Sequence, residues 1–216
     1  MDKTSQLQKL KAEMEADQGL PLRHQATQLV FGEGNPDAQF YFLGEAPGYW
    51  EDQKGRPFVG QAGQLLDKTL EEIGLKRSDV YISNVVRFRP PGNRDPLPEE
   101  LEAFAPYINR EIEIIDPKII VTLGRFSMGK FIPDQKISRI HGRVFQVEWK
   151  DKKVTVVPMY HPAAALRAGE VLKQFQEDFK KLPKILQGPQ EEEKKSDDSS
   201  GGGSDNSNQP TQLSLI

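Results

Sequence analysis

The sequence predicts an α/β protein of three layers, a central and mainly parallel four-stranded sheet held between helices. Two observations carry this. Four short apolar runs, at 39–44, 80–84, 118–124 and 154–159, are rich in β-branched or aromatic residues and bounded by Gly, Pro or Asp, as buried strands are. Amphipathic stretches at 61–73, 99–115, 125–131 and 171–186 alternate with them, and strand–helix alternation implies parallel strands covered on both faces.

Taken in order, residues 1–18 read as a charged amphipathic helix with Leu7, Leu10 and Met14 on one face. The stretch after Leu97 begins as helices do, with Pro98 and then Glu99 and Glu100 in the first turn. Residues 136–149 read as an inserted β-hairpin, because 144–149 alternates and Asp151-Lys152-Lys153 can turn into the next strand. One domain is expected over 1–187. Beyond it the periodicity stops: 188–211 reads as a disordered acidic and Gly/Ser-rich linker, and 212–216 is an abrupt apolar end.

Composition excludes more than it selects. No apolar run approaches the ~18 residues that cross a bilayer, and the polar N-terminus is no signal peptide, so a cytoplasmic protein without a membrane partner is expected. With no cysteine, disulfides and thiolate-held zinc or iron–sulfur clusters are excluded, and His24, His141 and His161 match no common metal spacing. The net charge of −3 averages unlike parts. Six of the 32 acidic residues but only two of the 29 basic ones fall in 188–216, which leaves a nearly neutral body able to hold DNA through local basic clusters.

In an open α/β sheet, ligands bind beyond the carboxyl ends of the strands. The first run leads into GEAPGYWED at 44–52 and GRPFVG at 55–60, a tight loop whose amides can face a ligand, with carboxylates among them. Phe58 reads equally as core or as a stacking surface. The second run ends at Asn84, whose amide suits the Watson–Crick edge of a pyrimidine, although a strand-end turn residue is the ordinary alternative. Arg87, Arg89 and Arg94 follow on a proline-stiffened loop and read as phosphate contacts, or else as a solvated basic loop. The fourth run ends in YHPAAALR at 160–167. There His161 precedes a small-residue turn that lets backbone approach DNA, and Leu166 or Arg167 is placed to wedge into it. Singly each signal is weak. Jointly, at one end of one sheet, they supply what base extrusion and glycosidic cleavage need.

The ordered blocks VFGEGNPDA (30–38), GEAPGYWED (44–52), GRPFVGQAGQLLD (55–67), YISNVV (81–86), RPPGNRDPLPEEL (89–101) and HPAAALR (161–167) resemble the family 4 uracil-DNA glycosylases, the iron–sulfur type of bacteria and archaea. The resemblance spans roughly 20–186 and implies the uracil-DNA glycosylase fold. It implies that Phe58 stacks on a flipped uracil, that Asn84 hydrogen-bonds its edge and that Ala46 lies against it. His161 would donate to uracil O2 as charge builds on the departing base, while Glu45 and Glu51 would organise the loop and the hydrolytic water. Family 1 enzymes carry an aspartate at the place of Ala46, so leaving-group stabilisation is expected to dominate here. The family's [4Fe–4S] cluster needs four thiolates. Asp17, Leu20, Phe88 and Phe104 stand in their places, so the cluster is expected to be absent, with Phe88 and Phe104 as an apolar plug. A related branch, the X type, captures uracil-DNA covalently through a histidine motif that Arg139-Ile140-His141 echoes. The echo lies after the third strand rather than after Asn84, so Lys136, Arg139 and Arg143 read instead as a phosphate-facing surface.

Gln212, Leu213, Leu215 and Ile216 resemble the pentapeptide that docks on the bacterial sliding clamp, with Ile216 in place of the usual Phe. The sequence therefore predicts a monomeric, monofunctional glycosylase that releases uracil from DNA, tethered to the clamp. The alternative is a non-catalytic or covalent uracil-DNA-binding module.

Overall fold

The computed structural model describes residues 1–187 and, as backbone only, 211–213. Seven strands form one sheet: β1 (Glu33–Gly34), β2 (Phe40–Gly44), β3 (Tyr81–Asn84), β4 (Ile119–Leu123), β5 (Val144–Trp149), β6 (Lys152–Met159) and β7 (Thr211–Leu213). Their order is β1-β3-β2-β4-β6-β5-β7. The four predicted strands are β3, β2, β4 and β6, and they pair in parallel. Shorter or later additions run antiparallel at both edges. Nine α-helices are described: α1 (Lys3–Ala16), α2 (Tyr49–Lys54), α3 (Gln61–Glu72), α4 (Pro98–Ile115), α5 (Arg125–Gly129), α6 (Ile137–Ile140), α7 (Pro162–Ala165), α8 (Gly169–Phe179) and α9 (Leu182–Gln187).

The period-2 pattern of the strands builds two cores at once. Tyr41, Leu43, Tyr81, Ile120 and Val156 face one layer, where they pack with Leu10 and Met14 of α1 and Phe104, Ile108 and Ile112 of α4. Phe42, Ile82, Val121 and Val157 face the other, against Leu66 and Leu70 of α3 and Phe175 and Phe179 of α8. The leading helix is thus part of the domain. Its N-cap is Asp2, whose carboxylate accepts from the Ser5 amide at 2.8 Å. At the start of α4, Glu100 accepts from the Leu97 amide at 2.8 Å.

Two expectations change. Residues 136–140 do not belong to the hairpin: Ile137–Ile140 is a helical turn, and the hairpin is β5 with β6, turning at Lys150, whose φ is +53°. The predicted helix over 171–186 is two helices, because Pro183 has no amide to donate and its ring would clash with the carbonyl one turn back. At the far edge, β7 pairs with β5, Gln212 opposite Phe145 and Leu213 opposite Val144. An edge strand offers unpaired backbone groups, and an extended segment can take them. The remainder of the predicted linker (188–210), together with Leu215 and Ile216, lies outside the described residues. Among the described residues no helix is long and apolar enough to cross a membrane.

Candidate active site

The connection from β2 goes to β3 on one side while β4 lies on the other, and ligand crevices open at such a switch. The loops after β2, β3, β4 and β6 enclose a cleft of about 530 Å³ there. Glu45, Ala46, Glu51, Phe58, Asn84 and His161, all expected from the sequence, line it together.

The floor is Asn84, 2% exposed, whose Oδ1 has no hydrogen-bond partner among the described residues. Leaving a buried amide oxygen unpaired costs on the order of 1–3 kcal/mol, so such a group at the bottom of a cleft points to a ligand. Gly44 lies directly beneath: a Cβ there would collide with Asn84 Oδ1 and the Phe58 ring, so only glycine lets these two groups meet. Phe58 is 5% exposed and adopts φ +52°, an uncommon conformation for an aromatic residue. Its loop is held from two sides. Glu51 Oε1 accepts from the amides of Val59 and Gly60, both at 2.8 Å. Arg77 donates to the carbonyls of Pro57 and, at 3.1 Å, of Phe58, while pairing with Glu33 and Asp67. Gly63 of α3 completes the fit, since a Cβ there would strike the Phe58 carbonyl.

His161 caps α7. Its Nδ1 accepts from the Ala163 amide at 3.1 Å, which leaves the ring proton on Nε2. Burial pushes its pKa down to about 4, the Glu51 carboxylate opposing and Arg167 adding to the fall. At neutral pH it is therefore an uncharged donor, with its ring centroid 5.6 Å from that of Phe58. Gly124, at φ +94°, passes behind it where a Cβ would crowd the His161 Cβ. Burial pushes Glu45 up to about 7; Asp95 adds to this and Arg125 opposes it. Asp95 and Arg125 are themselves an ion pair at the cleft wall.

The basic residues divide. Arg94 lines the cleft, held by Glu100 at 2.6 Å; Arg167 lines it too, next to Leu166, which is 48% exposed. Arg89 donates to Asn93 Oδ1 at 2.7 Å and lies over the Tyr49 ring. Arg139 is exposed on α6. Arg87 is a correction: it is 1% exposed and pairs with the buried Glu111 of α4, so it is no phosphate contact. The reason is that the chain stays on the sheet past Asn84, with Val85 and Val86 donating to the carbonyls of Gly44 and Glu45. Arg87 is thereby directed inward, to a carboxylate that also accepts from Tyr41 at 2.5 Å and Ser83 at 2.8 Å. His141 lies beside the cleft, its Nδ1 2.6 Å from Asp178 and its ring tilted against that of Tyr160, 4.4 Å between centroids.

Among the described residues no cluster of three or more His, Asp or Glu is arranged to hold a metal ion. The four positions that the resemblance aligns with cluster cysteines do not fit an iron–sulfur group. Leu20, Phe88 and Phe104 are buried in one apolar cluster, with the two phenyl rings 6.1 Å apart. Asp17 accepts from Tyr107 at 2.6 Å.

Sequence reasoning assigns no role to Arg77, Asp95, Arg125 or Tyr160, although Asp95 and Tyr160 fall within its motifs. Arg77 lies in a 3-10 turn outside the ordered blocks, and nothing in the sequence marks its reach to Phe58. Asp95 lies within the 89–101 block and Arg125 opens the predicted helix at 125–131, but an ion pair between two loops has no sequence period.

Residues 31–186 match the uracil DNA glycosylase superfamily. The chain is 46% identical over 190 residues to a type-4 uracil-DNA glycosylase of Sulfurisphaera tokodaii, covering 85% of this chain and 86% of that one. A type-4 uracil-DNA glycosylase of Archaeoglobus fulgidus is 48% identical over 165 residues, 74% of this chain and 82% of its own. Another, of Thermotoga maritima, is 43% identical over 169 residues, 77% and 88% respectively. With a family match over most of its length and relatives this similar, the chain belongs to the uracil-DNA glycosylase superfamily.

Proposed function

We infer that this chain hydrolyses the N-glycosidic bond of deoxyuridine in DNA, releasing uracil and leaving an abasic site. The observation that carries the reading is the buried, unpartnered Asn84 amide oxygen, set beside Phe58 and a neutral His161 in one cleft. Uracil N3–H is the donor that oxygen lacks, and Phe58 is the face on which the base lies. Cytosine presents an acceptor at N3 and would leave the buried oxygen unpaired, a mismatch of the kind that gives strong discrimination.

As the C1′–N1 bond breaks, its electron pair passes into the uracil ring and charge accumulates at O2. His161 Nε2–H donates to that oxygen, and a neutral donor does so without surrendering its proton. The sugar is left as an oxocarbenium ion that water attacks at C1′. Glu51 is committed to the Val59 and Gly60 amides, so Glu45 is the carboxylate that positions this water and accepts its proton. Arg94, Arg167, Arg89 and Arg139 hold phosphates, and Leu166 enters the stack as the nucleotide leaves. The apolar packing of Leu20, Phe88 and Phe104 supports a cluster-free enzyme, active as a colourless protein.

The test is excision from a labelled single-uracil oligonucleotide, followed by alkali. Cleavage at uracil and not at thymine is expected, with Asn84→Asp strongly impaired. No cleavage, or an Asn84→Asp enzyme as fast as wild type, overturns the assignment. We also propose that the C-terminal peptide docks on a sliding clamp. Gln212 and Leu213 lie along β5, so docking requires their release from that edge. Deleting 212–216 is expected to abolish capture by the clamp and to leave excision from short oligonucleotides intact.

A further inference from the structure

Five large apolar side chains are exposed among the described residues, and two of them, Tyr49 and Trp50, are adjacent, at 49% and 56% exposure. They begin α2, a helix of six residues whose one buried residue is Asp52. Core packing therefore does not account for two aromatic rings there, and a contiguous exposed aromatic surface marks an interaction site. The rings meet edge to face, 5.1 Å between centroids at 78°. Arg89 reaches over from the β3 loop, its guanidinium 5.2 Å from the Tyr49 ring, while Asn93 holds it from behind. Trp50 lies against Gly60 at the end of the Phe58 loop. The residues on either side of the pair, Gly48 and Glu51, line the cleft. The two rings and the arginine thus form a shelf at the rim of the site.

We propose that Tyr49 and Trp50 are a stacking platform for an unpaired nucleobase of the uracil-bearing strand, next to the extruded nucleotide. The proposal rests on the uracil-excision reading for which base lies in the cleft, but not for the shelf's own chemistry. Aromatic faces that a cation flanks, beside a path for phosphates, bind single-stranded nucleic acid without sequence preference. Continuity with the cleft and the positive charge of Arg89 select a nucleic-acid strand over an apolar peptide. A platform of this kind compensates for stacking lost when the base leaves the helix, and it favours substrates whose flanking base is already unpaired.

The chain has two tryptophans, and Trp149 packs on Phe131 at 6.1 Å, away from the cleft lining. A Trp149→Phe protein therefore reports on Trp50 alone. Titration with a uracil-free single-stranded oligonucleotide is expected to quench its fluorescence. Tyr49→Ala and Trp50→Ala together are expected to weaken single-strand binding roughly tenfold or more, with Trp50→Phe retaining most of it. In excision of single-stranded uracil DNA the double variant raises KM, and an abasic spacer beside the uracil raises the wild-type KM to match. Unquenched Trp50 at saturating DNA, or a double variant that binds as wild type does, overturns the proposal. A wild-type protein that quenches but excises no uracil overturns the functional reading and leaves the platform standing.

Discussion

His141 and His161 lie on neighbouring loops and are both largely enclosed, yet their surroundings assign them opposite work. The Nδ1 of His161 faces a backbone amide, which fixes the ring as a neutral Nε2–H donor, and burial keeps it so down to about pH 4. The Nδ1 of His141 faces the carboxylate of Asp178, which is 3% exposed and also pairs with Lys181 at 2.7 Å. His161 lines the cleft itself; His141 does not, and only packs against Tyr160, which does. Residue type and a motif-like neighbourhood are shared. What separates them is the partner of a single nitrogen.

The largest test of that contrast is truncation. His161→Ala removes the donor to the developing uracil anion and is expected to lower kcat on the order of 10²–10³-fold, as loss of one such donor does. His141→Ala is expected to leave single-turnover excision within a few-fold of wild type. Its cost appears in folding, about 1–2 kcal/mol in urea titration, because Asp178 loses one partner while Lys181 remains. If the two variants exchange these phenotypes, the assignment of the histidines is wrong. A denaturing gel sharpens it further: a DNA adduct that persists in His161→Ala and vanishes in His141→Ala would restore the covalent alternative.

The same pair gives an intermediate effect in the pH dependence of stability. His161 has its folded pKa depressed from 6.5 to about 4, so the unfolded chain binds more protons between those values. Its contribution is present above about 6.5 and is lost as pH falls toward 4. Glu45 has its folded pKa raised from 4.5 to about 7, so its contribution is present below 4.5 and is lost as pH rises toward 7. Between 4.5 and 6.5 the two oppose each other. Thermal unfolding across that window is expected to become more stable toward acid in His161→Ala, relative to wild type, and less so in Glu45→Gln. Parallel Tm profiles in all three proteins would contradict the burial assigned to both groups.

How far the sequence alone discloses this site follows from what kind of interaction does the holding. The four parallel strands were legible because apolar period and β-branching are local properties, and the loops after them were legible because Gly44 and Asn84 each end a strand and His161 follows the end of another by two residues. Arg87 was misread because a basic residue three positions past a strand looks like loop, whereas the chain stays hydrogen-bonded to Gly44 and Glu45 and a carboxylate 24 residues away draws the side chain inward. The Arg77 brace was invisible for the same reason: it depends on two carbonyls 19 and 20 residues distant. Phe58 was ambiguous in principle, and in the structure it is both buried and part of the cleft wall, since Gly44 and Gly63 remove the bulk that would separate the two roles.

The smallest effect concerns the carboxylates, where the contrast between the histidines recurs. Glu51 accepts from two amides and serves the loop, while Glu45 sits where burial and Asp95 favour its protonated form and Arg125 its ionised one. Glu51, His161, Arg94 and Arg167 also face the cleft, so substitutions at Asp95 and Arg125 act against a fixed background of charge. If the ionised carboxylate accepts the proton of water, excision falls as pH drops below about 7, and Glu45→Gln abolishes that limb. Asp95→Asn removes a like charge and is expected to move the limb to lower pH. Arg125→Gln removes the opposing cation and moves it higher. Both groups are exposed, so shifts of a few tenths of a pH unit are the expected scale. A merely structural role for the ion pair would change the height of the profile and leave the limb where it was; two shifts of the same sign would transfer the titration to another group in the cleft.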